Sequence, residues 1–187
     1  MRVLIVSDTH NKDENLMDIL KVDKNFDFMV HLGDIGKLED YIEEITGLAC
    51  FAVRGNNDWR SLLPSESIIM LGRHRTFITH GHGFSVYSST ERLREYAMGL
   101  GCDIVMYGHT HMPEIKKYRG ITVVNPGSLS SPRGGFKRPS YIVATILLAS
   151  FLTQCTSTTQ TNQTNSINTN KMEEIKEFKK GSWIHLV

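Results

Sequence analysis

The sequence predicts an α/β protein with a mixed sheet, or two packed sheets, covered by helices. Short apolar and β-branched runs recur up to residue 146, and several are apolar almost throughout, as in strands buried on both faces. Strand and helix patterns alternate early in the chain, and strand-like runs follow one another in pairs later. The 187 residues are 40% hydrophobic and 22% charged, which favours a folded domain over a disordered chain.

The elements follow from these patterns. Leu16, Ile19 and Leu20 have the i, i+3, i+4 spacing of a buried helix face, and Ser88 with Glu91 predicts a capping box at the start of a later helix. The predicted helices span residues 13–22, 38–45 and 88–100. The predicted strands span residues 3–6, 28–32, 48–53, 68–71, 76–79, 104–107, 121–124 and 141–146.

The chain changes character near residue 147. Residues 153–170 carry no charge and consist mainly of Thr, Asn and Gln, a composition that cannot build a core. We therefore divide the chain into a folded domain over 1–146, a low-complexity polar insertion or loop over 147–170, and a helix and strand tail over 171–187. The order of basic residues, apolar run, Cys155 and polar tract also resembles a bacterial lipoprotein leader. We favour the loop because this segment is internal and lacks small residues before Cys155.

Charge and cysteine content exclude several classes of protein. The net charge is +1, which offers no overall attraction to nucleic acid or to a membrane surface. Three widely spaced cysteines without a C-x-x-C motif argue against a disulfide framework or a zinc ribbon. The first apolar run is too short for a signal peptide. We therefore expect a cytoplasmic protein with reduced cysteines and no membrane partner.

Polar clusters follow five of the predicted strands. Ligands of open α/β sheets bind beyond the carboxyl ends of the strands, so the five clusters can converge on one site. Carboxylate, imidazole and carboxamide donors without thiolates suit Mn, Fe, Co, Ni or Zn in a hydrolytic site. The clusters are Asp8-Thr9-His10, Gly33-Asp34, Gly55-Asn56-Asn57-Asp58, His80-Gly81-His82 and Gly108-His109-Thr110-His111.

Taken singly, most of the clusters have an ordinary structural explanation. Asp8-Thr9-His10 could cap a helix, and the two clusters that begin at Gly33 and Gly55 have the composition of turns. The two H-x-H triplets are harder to explain in this way, because they contain four of the eight histidines. In extended chain, D-x-H and H-x-H spacing places both side chains on one face, where they could share a metal ion.

The ordered motifs D-x-H, G-D, G-N-x-D, H-G-H and G-H-x-H resemble those of the calcineurin-like metallophosphoesterases. The compact G-N-N-D and the N-P-G-S at residues 125–128 are similar to the small bacterial and archaeal phosphodiesterase branch. The resemblance covers residues 1 to about 146. It implies a four-layer α/β/β/α sandwich and a two-metal phosphodiesterase, in which a metal-bridging hydroxide attacks phosphorus in line.

The resemblance also implies a ligand set. One ion would be held by Asp8, His10, Asp34 and His111, and the other by Asp34, Asn56, His80 and His109, with Asp34 shared. All seven positions have the residue type of the family. The implied cofactor is a pair of divalent transition-metal ions, with Mn first and Ni, Co, Fe or Zn as alternatives.

One position departs from the wider superfamily. Many members have a histidine directly after the metal-binding Asn and use it to assist the leaving group, but this chain has Asn57 there. A carboxamide cannot act as a general acid. We therefore expect either a preference for good leaving groups or a proton supplied by another side chain such as His82, which could equally be a supporting residue.

The expected substrate is a small phosphodiester. A nuclease acting on short oligonucleotides is an alternative, although a long nucleic-acid track is not expected. A non-catalytic metal-binding scaffold is the other alternative, because the same fold serves this purpose in the retromer coat. Whether the chain forms a homo-oligomer is left open.

Other residues have weaker functional interpretations. His31 is expected to be a buried strand residue, and His74 and His185 lie outside any cluster. Arg54 and Arg133 could bind phosphate or be surface arginines. The Trp59-Arg60 pair could lie at the substrate rim, although packing against a neighbouring loop is the simpler interpretation.

Overall fold

A computed structural model describes residues 1–37, 40–135 and 137–146, together with the backbone of a strand at 184–186. The helices are α1 (Glu14–Val22), α2 (Tyr41–Thr46) and α3 (Glu91–Gly99). The strands are β1 (Arg2–Val6), β2 (Phe28–His31), β3 (Cys50–Ala52), β4 (Glu66–Leu71), β5 (His74–Thr79), β6 (Ile104–Met106), β7 (Glu114–Tyr118), β8 (Ile121–Asn125), β9 (Ser140–Thr145) and β10 (Ile184–Leu186).

These strands form two five-stranded sheets. The first has the order β10-β9-β1-β2-β3, and the second has the order β4-β5-β6-β8-β7. β1, β2 and β3 are parallel to one another, as are β5, β6 and β8. The remaining pairs β1–β9, β4–β5 and β7–β8 are antiparallel. Both sheets therefore have a parallel centre, which gathers the carboxyl ends of neighbouring strands at one edge.

The two sheets pack face to face and carry helices on their outer faces. Alternation along β1 illustrates the layers, because side chains of successive strand residues point to opposite faces. Val3 and Ile5 belong to the core between the sheets, which also contains Ile78 of β5. Leu4 and Val6 belong to the core that packs with α1 and α2. A third core joins α3 to the second sheet, so the predicted four-layer α/β/β/α sandwich is confirmed.

The predicted strands are confirmed with shifts of a few residues at their ends, and one strand was not predicted. The strand β7 has the sequence EIKKY, in which three charged residues obscure the alternation of a half-buried strand. Among the described strands, β7 lies at the edge of its sheet and pairs with β8 alone. Charged side chains, lysine above all, are typical of edge strands because they discourage pairing with another chain.

The helices are confirmed in position but not in every detail. The predicted capping box at Ser88 is wrong, since α3 begins at Glu91 with Thr90 as its N-cap residue. The Glu91 N–H instead donates to Ser89 Oγ at 3.1 Å. Residues 38 and 39, where a helix was predicted to begin, lie outside the described residues, and α2 begins at Tyr41.

The predictions for the tail are mostly beyond the part of the chain that the structure describes. This applies to the insertion over 147–170, to Cys155 and to the helix expected within 171–180. The last predicted strand is present as β10, which pairs in parallel with β9. Cys50 and Cys102 are free thiols.

The loops at the sheet edge are tied to one another by the buried carboxylate of Asp58. Asp58 Oδ2 accepts hydrogen bonds from the N–H groups of Gly55 at 2.8 Å and Ile35 at 3.1 Å, and its Oδ1 accepts one from Gly36 at 2.7 Å. The Asp58 side chain thus joins the loop after β2 to the loop after β3. The two loops also approach so closely at Gly55 that a Cβ there would lie 2.7 Å from Asp34 Cγ.

The Asp58 contacts predict that Asp58→Asn lowers the free energy of unfolding by about 2 kcal/mol, because an amide group would face buried N–H donors. Urea unfolding followed by circular dichroism measures this loss. Asp18→Asn is the matched control, since Asp18 is exposed and forms an ion pair with Lys21 on the surface of α1. Equal stability of the two variants would contradict the role given to Asp58.

The close approach at Gly55 predicts that Gly55→Ala destabilises the fold by about 1–3 kcal/mol, because the new methyl group overlaps Asp34. Gly99→Ala is the control, because a Cβ at Gly99 meets nothing within 4 Å and the residue lies in α3. Alanine is the better helix former, so Gly99→Ala should be neutral or slightly stabilising. If Gly55→Ala unfolds at the same urea concentration as the original chain, the loops can move apart without a loss of stability, which would contradict this prediction.

Candidate metal centre

The polar clusters of five loops converge at the shared sheet edge. Two groups of carboxylate and imidazole side chains each present one ligand atom within 4.8 Å of the others. One group contains Asp8, His10 and His111, and the other contains Asp8, Asp34 and His80. Asp8 belongs to both groups, so five of the seven predicted ligands form one continuous cluster.

Two carboxylate oxygens lie at the centre of this cluster. Asp8 Oδ1 is 3.0 Å from His111 Nε2 and 3.8 Å from His10 Nε2. Asp34 Oδ2 is 3.4 Å from His80 Nε2 and 3.8 Å from His10 Nε2. His10 thus faces both carboxylates, and Asp34 lies between two imidazoles, as a carboxylate shared by two ions would.

Two buried atoms of the cluster lack a hydrogen-bond partner within the described part of the chain, namely Asp8 Oδ1 and His80 Nε2. His111 Nε2 lies 3.0 Å from Asp8 Oδ1, but the proton of the neutral His111 ring is on Nδ1, which faces the Ser131 carbonyl, so Nε2 has none to donate. Buried polar atoms in native structures nearly always have partners, so two that face each other at 3.9 Å require an explanation. A bound cation would satisfy both atoms, which means that the donors present fit the divalent ions that the resemblance implies.

In two of the imidazoles, the ring nitrogen that faces away from the cluster is hydrogen-bonded to a main-chain carbonyl group. His80 Nδ1 lies 2.7 Å from the Leu32 carbonyl oxygen, and His111 Nδ1 lies 2.6 Å from that of Ser131. A carbonyl can only accept, so each Nδ1 carries the proton and donates. Both rings therefore direct the lone pair of Nε2 into the cluster, which is the tautomer that metal-binding histidines adopt.

The carboxylates are oriented from outside the cluster in the same way. Asp8 Oδ2 accepts hydrogen bonds from Ser7 Oγ at 2.6 Å and from the His109 N–H at 3.2 Å. Asn57 holds Asp34 twice, with its N–H 2.8 Å from Oδ1 and its side-chain Nδ2 2.6 Å from Oδ2. Asn57 is therefore a hydrogen-bond donor to Asp34, at the position where the resemblance implies a histidine in many members of the wider superfamily.

Burial and charge shift the pKa values of these groups in opposite directions. Burial disfavours the ionised form of Asp34 and is the largest single influence, but the nearby His80 and the two hydrogen bonds from Asn57 outweigh it, so the pKa of Asp34 lies well below the usual range. Burial lowers the pKa of His80 and His111 in the same way, yet the neighbouring carboxylates leave both values raised. The cluster therefore concentrates negative charge that attracts a cation.

The two remaining predicted ligands lie around the cluster. The ring of His109 is 5.1 Å from the ring of His80, and its pKa is lowered by burial and by the charge of His80. Asn56 is exposed in the turn directly before Asn57. The structure thus places His109 beside the carboxylate and imidazole groups, and Asn56 at their rim.

His82 lies at the open side of the cluster. It begins a short 3₁₀ helix, His82–Phe84, and its ring centroid is 5.6 Å from that of His80 and 6.1 Å from that of His109. Burial and the charge of His80 lower its pKa. His80 is buried and His82 is exposed, and Gly81 between them has a φ of 99°, so the extended chain that was expected for this triplet is wrong.

The backbone at the cluster is not extended. Five predicted ligands have left-handed backbone conformations, with φ between 47° and 66°, and these are Asp8, His10, Asp34, His109 and His111. Residues other than glycine rarely adopt such conformations, and they occur preferentially at functional sites. The D-x-H and second H-x-H pairs therefore converge through left-handed turns, where alternation along a strand was expected.

Several supporting residues were not recognised in the sequence. Ser128 Oγ donates to the Asp8 carbonyl at 2.9 Å, and Asn125 Nδ2 donates to the carbonyl of Gly108 and to Thr110 Oγ1, both at 3.0 Å. The N-P-G-S motif drew attention to this loop, but it did not predict that Asn125 and Ser128 hydrogen-bond to the loops of Gly108 and Asp8. Asp58 was recognised as part of the G-N-x-D motif but not as a hydrogen-bond acceptor, and Ser7 had no signal beyond its position next to Asp8.

The residues with weaker interpretations are placed as follows. Tyr87 donates to the His109 carbonyl at 2.9 Å and accepts a hydrogen bond from the exposed Arg133, which therefore lies at the mouth of the site. The Arg60 guanidinium stacks on the ring of the exposed Trp59 at 4.2 Å. Arg54 is exposed, His31 is buried at the end of β2, His74 pairs with Asp103 away from the cluster, and the side chain of His185 lies outside the described part.

Comparison with known proteins finds relatives in the same family that the sequence motifs resemble. The model of the calcineurin-like phosphoesterase superfamily domain matches residues 1–147. Probable metallophosphoesterase YsnB of Bacillus subtilis is 32% identical over 147 residues, covering 78% of this chain and 85% of that protein. Phosphodiesterase MJ0936 of Methanocaldococcus jannaschii is 31% identical, covering 68% of this chain and 83% of that protein.

A solved structure extends the comparison to the fold. A single mutant of Vps29 from Entamoeba histolytica superposes with a TM-score of 0.65 and 28% identity, covering 78% of this chain and 86% of that one. None of the described helices is long and apolar enough to cross a membrane. The expectation of a metal-dependent hydrolase of phosphoesters is confirmed at the level of the family: the chain belongs to the calcineurin-like phosphoesterase superfamily.

Proposed function

We propose that this phosphoesterase is a phosphodiesterase that uses two divalent ions and acts on small phosphodiesters. The observation that carries the proposal is the pair of unpartnered buried atoms, Asp8 Oδ1 and His80 Nε2, inside a cluster of two carboxylates and three imidazoles. The names of relatives such as the phosphodiesterase MJ0936 support the diester as substrate.

The ligands proposed for the two ions are those that the resemblance implies, and they differ from the two groups of the cluster in sharing Asp34 where the groups share Asp8. Asp8, His10, Asp34 and His111 would hold one ion, and Asp34, Asn56, His80 and His109 would hold the other. The position of Asp34 Oδ2 between His10 and His80 supports its shared role. Mixed nitrogen and oxygen donors without thiolates suit Mn²⁺, which we propose as the ion, with Ni, Co, Fe and Zn as alternatives.

The chemistry that two divalent ions supply in such a site, when bound, is activation of a water nucleophile and neutralisation of phosphoryl charge. The protein orients the groups that hold them. Asn57 holds both oxygens of Asp34, and Ser7 with the His109 N–H holds Asp8 Oδ2, so neither carboxylate has to reorganise during the reaction. The exposed Arg133 at the mouth adds a positive charge suited to a phosphate group.

Protonation of the leaving group is assigned to His82. The Asn57 side chain is engaged with Asp34 and has no acidic proton to give. His82 is the exposed imidazole beside His80 and His109, so its ring can reach a bound substrate without leaving the site. The net charge of +1 supports a small substrate over a long nucleic acid.

The proposal predicts hydrolysis of bis-p-nitrophenyl phosphate that requires added Mn²⁺ and is abolished by a chelator. Asp34→Asn and His109→Ala should each lower kcat/KM by about 100-fold or more, because each removes a proposed ligand. Release of p-nitrophenolate is followed by absorbance. His74→Ala is the control, since His74 pairs with Asp103 away from the cluster, and it should retain full activity.

The alternatives give different outcomes in the same experiment. Binding of two Mn²⁺ ions without turnover of any phosphoester would support a metal-binding scaffold and contradict the enzyme. Turnover of short oligonucleotides well above that of small diesters would indicate a nuclease. Isothermal titration with Mn²⁺ and a substrate panel of both classes separate these outcomes.

The role of His82 predicts a selective loss. His82→Ala should slow a diester with an alkyl leaving group by about 100-fold, because alkoxide must be protonated as it leaves. The p-nitrophenyl diester, whose leaving group is stable as an anion, should change little. Product release is measured by chromatography for both substrates. An equal loss on both would mean that His82 does not act on the leaving group.

A further inference from the structure

We propose that His31 and Thr9 are positioning residues that set the loops carrying Asp8, His10 and Asp34 through one continuous hydrogen-bond relay. The proposal rests on the proposed function, because it takes these three residues to be metal ligands. Neither His31 nor Thr9 would touch an ion or a substrate. Their role would be to hold the backbone on both sides of the ligands.

The relay begins at the loop of Asp34. The Gly33 N–H donates to His31 Nδ1 at 3.2 Å. An N–H group can only donate, so Nδ1 carries no proton and the neutral ring must carry it on Nε2. His31 therefore holds the residue directly before Asp34 and is left with one donor.

That donor reaches the loop of Asp8 and His10. His31 Nε2 lies 3.1 Å from Thr9 Oγ1, and it donates there. The Thr9 hydroxyl in turn donates to the Ile35 carbonyl at 3.4 Å. The relay thus starts at the residue before Asp34, passes through the residue between Asp8 and His10, and ends at the residue after Asp34.

Burial keeps His31 neutral and its two hydrogen bonds in one direction. Both His31 and Thr9 are completely buried. Burial lowers the pKa of His31 to about 4, against the smaller raising influence of Asp58 and Asp8, so the ring is neutral at ordinary pH. Both ring nitrogens are occupied, which excludes His31 itself as a metal ligand. Any buried histidine is expected to have a partner on each nitrogen, but both partners of His31 are residues adjacent in sequence to proposed ligands.

The relay also acts where the backbone is least favourable. Asp8, His10 and Asp34 all have positive φ values, a conformation that persists only when the surrounding structure specifies it. Main-chain hydrogen bonds from Asp8 to Gly33 and from His10 to Asp34 join the same two loops. The relay adds side-chain contacts on either side of Asp34, and loss of it should loosen the ligands more than it unfolds the protein.

The test measures Mn²⁺ affinity of the full chain, freed of metal and titrated calorimetrically, with urea unfolding of the same metal-free samples. Thr9→Val removes the hydroxyl and keeps the shape, whereas Thr9→Ser keeps the hydroxyl. We expect Thr9→Val and His31→Leu to weaken Mn²⁺ binding about tenfold, as for residues that orient metal ligands, and Thr9→Ser to bind as the original chain does.

A structural control separates positioning from stability. Leu93→Ala removes a buried side chain of α3 in the core on the far side of the second sheet, so it should lower stability without changing Mn²⁺ affinity. If Thr9→Val binds Mn²⁺ as tightly as Thr9→Ser, the inference is overturned, and the Thr9 pair decides this even if His31→Leu does not fold. Failure of the original chain to bind Mn²⁺ would overturn the proposed function as well.

Discussion

The residues at the candidate metal centre occupy a backbone conformation that side chains normally avoid. Five of the seven proposed ligands have positive φ, and each such residue costs roughly 1–2 kcal/mol relative to the ordinary right-handed region. Such a cost is tolerated only where other contacts specify the conformation. Much of the remaining structure at this edge can be understood as what holds these turns in place.

The contacts that hold the turns come mainly from polar side chains of neighbouring loops that hydrogen-bond to the backbone of the ligand-bearing loops. Asp58 accepts three main-chain hydrogen bonds that join the loops after β2 and β3. Ser128 and Ser130 both donate to the carbonyl of Asp8 at 2.9 Å. Their hydrogen bonds contribute more to stability away from water than they would at the surface, because a buried polar group without a partner costs free energy. The four layers provide that setting, because the two sheets and their helices exclude water from the cores beneath the loops.

The sequence predicted the elements and the cluster for different reasons. Strands such as β1 and β8 were recognised because they are buried and apolar, whereas β7 was missed because three of its five residues are charged. The ligands were recognised because five polar clusters each follow a strand. The relay of His31 and Thr9 could not be predicted, since its members are 22 residues apart and only the folded chain brings them together. Left-handed turns at Asp8 and His109 could not be predicted either, because these residues favour them only where tertiary contacts require it.

Asn57 can orient Asp34 but cannot protonate a leaving group, so these two functions require different side chains in this chain. The main-chain and side-chain N–H groups of Asn57 hold one oxygen of Asp34 each, at 2.8 and 2.6 Å. A neutral histidine at this position would have a single ring N–H, and that proton could either hold Asp34 or assist a leaving group, but not both. The carboxamide serves the first purpose alone. We propose that the second purpose passes to a side chain on the other sheet, namely His82, which follows β5 and lies exposed beside His80.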